Sequence, residues 1–198
     1  RMWNYRYDAD NNLEYVDNPD ATTRQYHYED AVHRNALTGI TDERGIRYAN
    51  FEYQADGKAR ASYHGQQTSV LTDRIDGVSI TYHANQTRTV INSNGDTSIY
   101  SLTPQLGVGL VTGVSGPGCS SCGVADTSYS YAPATNNLLA MTRHGTTTRF
   151  GNYDSHGNYR CSVEGVTAAD SSTGACNYDP VSSPDARRSE YTYDARFV

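Results

Sequence analysis

Tyr5-Arg6-Tyr7-Asp8 opens a cycle whose reading decides the fold. A turn-like Asp10-Asn11-Asn12 follows, then Leu13-Glu14-Tyr15-Val16-Asp17 and a second turn at Asn18-Pro19-Asp20. The cycle restarts at Tyr26-His27-Tyr28-Glu29. In a strand, residues two apart share a face, so Tyr-x-Tyr lays both rings on one side. The Asp or Asn-Gly cluster behind it supplies positive φ or a side-chain-bonded turn. Ala55-Asp56-Gly57, Asn94-Gly95-Asp96 and Ser155-His156-Gly157-Asn158 are of this kind. The next strand, such as Leu13-x-Tyr15-Val16 or Leu37-Thr38-Gly39-Ile40-Thr41, returns antiparallel.

Weaker copies stand at Phe51-Glu52-Tyr53, Ile80-Thr81-Tyr82 and Ile99-Tyr100. Clear ones return at Tyr129-Ser130-Tyr131, Tyr153-Asp154 and Tyr191-Thr192-Tyr193-Asp194. The second aromatics of successive copies are unevenly spaced, so the unit is a motif with elastic loops. A single hairpin cannot bury its aromatic face, but stacked neighbours cover one another. The expected fold is all-β: stacked antiparallel hairpins in a long twisted or spiral sheet, without substantial helix.

Composition agrees. The 198 residues hold 17 Tyr against 3 Phe and 1 Trp. Tyrosine suits a ring packed on a sheet whose hydroxyl reaches water or backbone. The 17 Gly, with abundant Asn, Asp, Ser and Thr, point to many turns. Net charge is −6, and Lys58 is the single lysine among scattered arginines. Without a basic run, a nucleic-acid partner is disfavoured. No apolar stretch reaches the ~18 to 20 residues of a membrane helix. Arg1-Met2-Trp3-Asn4-Tyr5 precedes no apolar signal region.

Tyr5-Arg-Tyr-Asp8 with Leu13 and Val16 resembles the YD repeat of Rhs proteins. So do Leu37-Thr-Gly-Ile-Thr-Asp-Glu-Arg-Gly45, running into Arg47-Tyr48-Ala49, and Tyr191-Thr-Tyr-Asp-Ala-Arg196. The resemblance covers essentially the whole chain and draws its specificity from repetition. It implies a large secreted or surface protein of bacterial origin, whose repeats wind into a hollow shell around a C-terminal toxin domain. It also implies that the partners are the adjacent repeats of the parent chain and the enclosed effector domain. The repeat-defining positions are Tyr5, Tyr7, Asp8, Tyr26, Tyr28, Tyr53, Tyr82, Tyr129, Tyr131, Tyr153, Asp154, Tyr191, Tyr193 and Asp194. The family's Asp-Pro-x-Gly cleavage motif is not matched: Asp179-Pro180 runs into Val181-Ser182-Ser183. No cleavage function is therefore carried over, and because the pattern begins and ends within repeats we expect a fragment, one continuous array over 1–198.

Two segments break the pattern. Residues 103–123 are rich in Gly and small residues, with a strand expected over 108–114 and a tight loop at Cys119-Ser-Ser-Cys122. That pair reads as a short disulfide, half a zinc site or a redox pair. Cys161 and Cys176 form no second zinc knuckle, and no helix start follows Cys122. The structural disulfide is favoured, and no metal or other cofactor is expected. Cys161 and Cys176 flank a polar loop inserted over 161–176, which a disulfide would close, contributing roughly 3 kcal/mol. An even cysteine count on a loop-rich β protein fits an oxidising compartment.

No catalytic constellation emerges. The six histidines (His27, His33, His64, His83, His144 and His156) are dispersed, and no Gly-x-Ser-x-Gly elbow supports a hydrolase. Gly107-Val-Gly109 lacks the helix start and lysine of a phosphate loop. Asp8/Asp10 and Asp17/Asp20 are expected in turns, bonding backbone N–H groups. A rival reading makes the tyrosine faces a binding surface for glycans or a cell-surface partner. Open sheet edges would allow edge-to-edge self-association.

Overall fold

The computed structural model describes residues 2–68, 70, 73–118, 126–174 and 176–194. The strands are β1 (Asn4–Tyr7), β2 (Leu13–Asp17), β3 (Thr23–His27), β4 (Gly39–Thr41), β5 (Arg47–Tyr53), β6 (Ala59–His64), β7 (Ile75–Tyr82) and β8 (Thr87–Ile91). They continue as β9 (Thr97–Gln105), β10 (Val108–Ser115), β11 (Thr127–Tyr131), β12 (Leu138–Arg143), β13 (Thr146–Gly151), β14 (Cys161–Thr167) and β15 (Arg187–Glu190). All fifteen belong to one open sheet, ordered as in the sequence. The all-β expectation is met. Two compact units divide the chain. The first holds the residues up to Tyr82 with Thr89–Thr97, the second His83–Arg88 with the residues from Ser98 onward.

Six turns share one construction. At Asp8, Asn18, Asp42, Gln54, Asn92 and Asp154, the first residue's N–H donates to the carbonyl four residues on. The N–H three residues on donates back to the first carbonyl. That third residue is left-handed in each: Asn11 (φ 63°), Ala21 (67°), Gly45 (74°), Gly57 (83°), Gly95 (81°) and Gly157 (83°). This is a type I turn closed by a bulge residue, a favoured way to join twisted strands. The ladder register slips just before it, at Arg6/Tyr7, Ile40/Thr41 and Glu52/Tyr53. Two hairpins instead use two-residue turns with both central residues at positive φ: Leu106 (49°) with Gly107 (81°), and His144 (49°) with Gly145 (74°).

Register assigns the faces. Tyr26 lies opposite Ile40, which lies opposite Ala49, so these share a face with Phe51. The other face carries His27, Gly39, Asn50 and Tyr63. In the second unit Tyr129, Met141 and Thr148 align, while Ser130, Ala140, Arg149 and Val163 line the reverse. The repeat-tyrosine face is half-covered, and full burial occurs mainly on the reverse. There the first unit buries Asn50 (2% exposed) and Tyr63 (2%). The second buries Cys161, Val163 and Val166.

The segment 103–123 contributes the end of β9 and all of β10, which pair through the Leu106–Gly107 turn. Residues 161–176 are not a loop throughout. Cys161–Thr167 is β14, paired with β13 and β15, because Cys161 and Val163 alternate as a strand. The excursion begins after it and returns at β15.

Candidate functional site

Asp8 and Asp154 clamp the turns that they open. Asp8 Oδ1 accepts the N–H groups of Asp10 (2.9 Å) and Asn12 (2.8 Å). Asp154 Oδ1 accepts those of His156 (2.9 Å) and Asn158 (3.0 Å). Asp42 and Asn92 do the same for the residues two and four positions on. One side chain thus satisfies two N–H groups that the bulge removes from the ladder. Bonding to the ionised form holds these carboxyls below the usual carboxylate range. The Asn12 amide leads at Asp8, the Arg44 guanidinium at Asp42 and the Asn158 N–H at Asp154.

Four tyrosine hydroxyls bond backbone carbonyls in or just before neighbouring strands. Tyr53 donates its hydroxyl to the Leu37 carbonyl (2.8 Å) and Tyr131 to Val111 (2.8 Å). Tyr153 donates to Leu138 (2.5 Å) and Tyr193 to Tyr159 (2.8 Å). At Tyr53 and Tyr131 the ladder register slips on the side away from the acceptor, against β6 and β12. Burial raises the phenol pKa of Tyr53, Tyr131 and Tyr153.

The remaining positions vary. Tyr5 and Tyr7 are exposed at 53% and 61%, and Tyr26, Tyr28 and Tyr129 are half-buried. The Lys58 ammonium lies 5.5 Å from the ring centre of half-buried Tyr82. Tyr191 bonds Ser162 Oγ (3.0 Å) and packs edge-on to Tyr159, which also meets Phe150 and Tyr153. Asp194 is exposed. Asp17 departs from expectation: it sits in β2, not a turn, and bonds Arg6, Asn4 and Thr23 side chains. Asp10 is likewise no clamp; its carboxylate lies 3.9 Å from Arg34. Asp20 does serve its turn, accepting the Thr22 N–H at 3.1 Å.

On the reverse face of the first unit, Arg47 forms a two-pronged pair with Glu29 at 2.8 and 2.9 Å. Its Nε donates to Asn50 Oδ1 at 2.8 Å, and the Asn50 amide donates to the Gly65 carbonyl at 2.8 Å. The Arg47 guanidinium lies so close to Gly39 that a Cβ there would meet Nη2 at 2.4 Å. His27 bonds Thr41 Oγ1 (2.7 Å); burial and then Arg47 lower its pKa.

In the second unit Cys161 and Cys176 are disulfide-bonded, Cα atoms 6.1 Å apart, and pack with Val163, Val166, Tyr178 and Ala186. Asp170 is the polar hub of this lobe. Its carboxylate accepts the N–H groups of Ser172 (2.8 Å) and Asp179 (2.9 Å), and the Ser183 hydroxyl (3.0 Å). Desolvation pushes its pKa up, but bonds from Ser172, Asp179 and Ser183 outweigh it and leave the carboxyl well below its usual range. The returning chain crosses Gly165, where a Cβ would stand 3.1 Å from the Asp185 carbonyl. Cys119 and Cys122 lie outside the described residues. Among the described residues no group of three His, Cys, Asp or Glu could hold a metal, and no helix is long and apolar enough to cross a membrane.

A chain of the TcdB2-TccC3-Cdc42 crystal structure superposes with a TM-score of 0.53, at 17% identity over 89% of this chain and 9% of that one. The fold is Rhs-like. A chain of the Photorhabdus luminescens Tc holotoxin pore agrees, with a TM-score of 0.52 and 21% identity over 74% of this chain and 7% of that one. This chain thus spans less than a tenth of either neighbour's length. No family model and no curated protein matches it.

Proposed function

We propose that the chain is a structural repeat module of a secreted or surface Rhs-type protein. Its role is to form one stretch of a continuous shell that encloses or presents an effector domain, by steric containment rather than catalysis. The observation that carries this reading is the use of the repeat tyrosines. Four of their hydroxyls are spent on backbone carbonyls in or just before neighbouring strands. Such groups hold a sheet together and are not available to a ligand. The fold of the toxin-complex neighbours and the Cys161–Cys176 bond support an architectural, extracellular role.

A glycan- or protein-binding role has narrower support, in the exposed Trp3 (52%), Tyr5 and Tyr7 around β1. Tyrosine nitration read by mass spectrometry separates the two. Tyr5, Tyr7, Tyr191 and Tyr193 should react in the chain alone and be protected within a longer polypeptide containing the effector. Equal reactivity in both would sink the containment reading.

A further inference from the structure

We propose that the open cavity beside β5, β6 and β7 of the first unit is a receptor site for a carboxylate group, a binding role beyond the architectural one. Its centre is a triad of two arginines on one glutamate. Glu52 Oε2 accepts from Arg60 Nη2 at 2.6 Å, and Glu52 Oε1 accepts from Arg74 Nη2. Arg74 is largely buried, its guanidinium 4.3 Å from the ring centre of Tyr63. Its Nη2 also donates to the Thr68 carbonyl at 3.3 Å, while its buried Nε has no acceptor.

One negative charge therefore serves two positive ones, and the triad keeps a surplus of one. Two neighbouring carboxylates, Glu29 and Asp30, are already committed. Glu29 is held by Arg47 through both oxygens, and Asp30 accepts the Val32 and His33 N–H groups. The buried share of the positive charge, on Arg74, is met by Glu52, and the share on Arg60 is open to a counter-ion.

The shape of the vacancy selects the ion. A guanidinium has two edges, each with a parallel pair of N–H donors. Arg60 spends a single bond, on Glu52, which leaves one edge whole on a side chain 58% exposed. The exposed Gln67 and the hydroxyl-bearing Ser79 and Thr81 also line the cavity. A planar two-oxygen group matches the free edge, and the surrounding amide and hydroxyls bond whatever bears it.

The test is an amide-NMR titration of the whole chain with sodium acetate, using sodium chloride at matched ionic strength as reference. Saturable shifts should appear at residues lining the cavity with acetate and not with chloride. Arg60→Lys keeps the charge but loses the edge, and should weaken acetate roughly fivefold or more. Arg60→Gln should abolish the response. Unchanged first-unit resonances away from the cavity, such as those of β1–β3, would establish that both variants remain folded. Equal shifts from chloride, non-saturating shifts, or an Arg60→Lys variant that binds as the parent does would each overturn the proposal.

Discussion

The reverse faces of the two units are buried by opposite chemistries. Around β4–β6 the first unit covers its sheet with polar groups: Arg47 on Glu29, Asn50 on the Gly65 carbonyl, and Tyr63 beneath Arg74. Around β14 the second unit covers its sheet with a cystine and two valines, closed by a lobe gathered on Asp170. The difference teaches what the repeat leaves free. Clamp and tie are backbone devices, identical in kind in both units, so the side chains of the reverse face are open to either solution. A polar solution depends on every partner being present, because one missing partner strands a buried group. An apolar one tolerates local loss but needs a covalent staple, since so few residues form the core.

The largest expected effect tests the staple. Cys161→Ser with Cys176→Ser should lower stability by about 3 kcal/mol, read by denaturant unfolding. Hydrogen exchange should rise in β14 and β15 and stay unchanged in β1–β6; a uniform rise would break the comparison. Next, Gly39→Ala forces a Cβ into the Arg47 guanidinium and should cost about 1–3 kcal/mol, with the loss in the first unit. Tyr153→Phe removes one tie and should cost about 0.5–1.5 kcal/mol in either chemistry's neighbourhood, since the tie is common to both. The smallest is Ala21→Gly: it relieves a left-handed alanine and should change stability by less than about 1 kcal/mol, towards stabilisation.

Acid should sharpen the same contrast. His27 has a lowered folded pKa, so its neutral form belongs to the native state. Its contribution declines as pH falls below about 6.5. The clamp carboxyls of Asp8, Asp42 and Asp154 are also lowered. Their stabilisation is present above about pH 4 and is lost as pH falls through their folded values. The first unit should therefore begin to loosen at a higher pH than the second, as followed by residue-resolved exchange. Simultaneous loosening above pH 5 would contradict this assignment.

Much of the fold was legible, because its determinants are local. Tyr-x-Tyr-Asp states a strand, a bulge and a turn within a few residues, and Asn94-Gly95-Asp96 or Asp56-Gly57 marks the left-handed position. The ties were half-legible: the recurrent second tyrosine was visible, but its acceptor lies on another strand. The reverse-face network was not legible, since Glu29 meets Arg47 and Glu52 meets Arg74 only through hairpin lengths. Gly39 inside a strand was the available signal, as a glycine there marks close approach. Asp17 was misplaced because acidic residues near Asn-Pro suggest a turn, whereas pairing with Arg6 across the ladder keeps it in β2. Segment 161–176 looked like a loop because its small polar residues mask the strand at its start.

The clamp and the tie also divide the energetics of the array. A clamp closes its own hairpin and needs no neighbour, so it adds to the intrinsic term of a unit. A tyrosine tie exists only when two adjoining strand segments are both in place, so it belongs to the coupling term. In a one-dimensional array the coupling term sets how many units melt together. The phenol hydroxyls are therefore the cooperativity of this sheet written in single atoms. Replacing them in series should lower the cooperativity of unfolding within each unit.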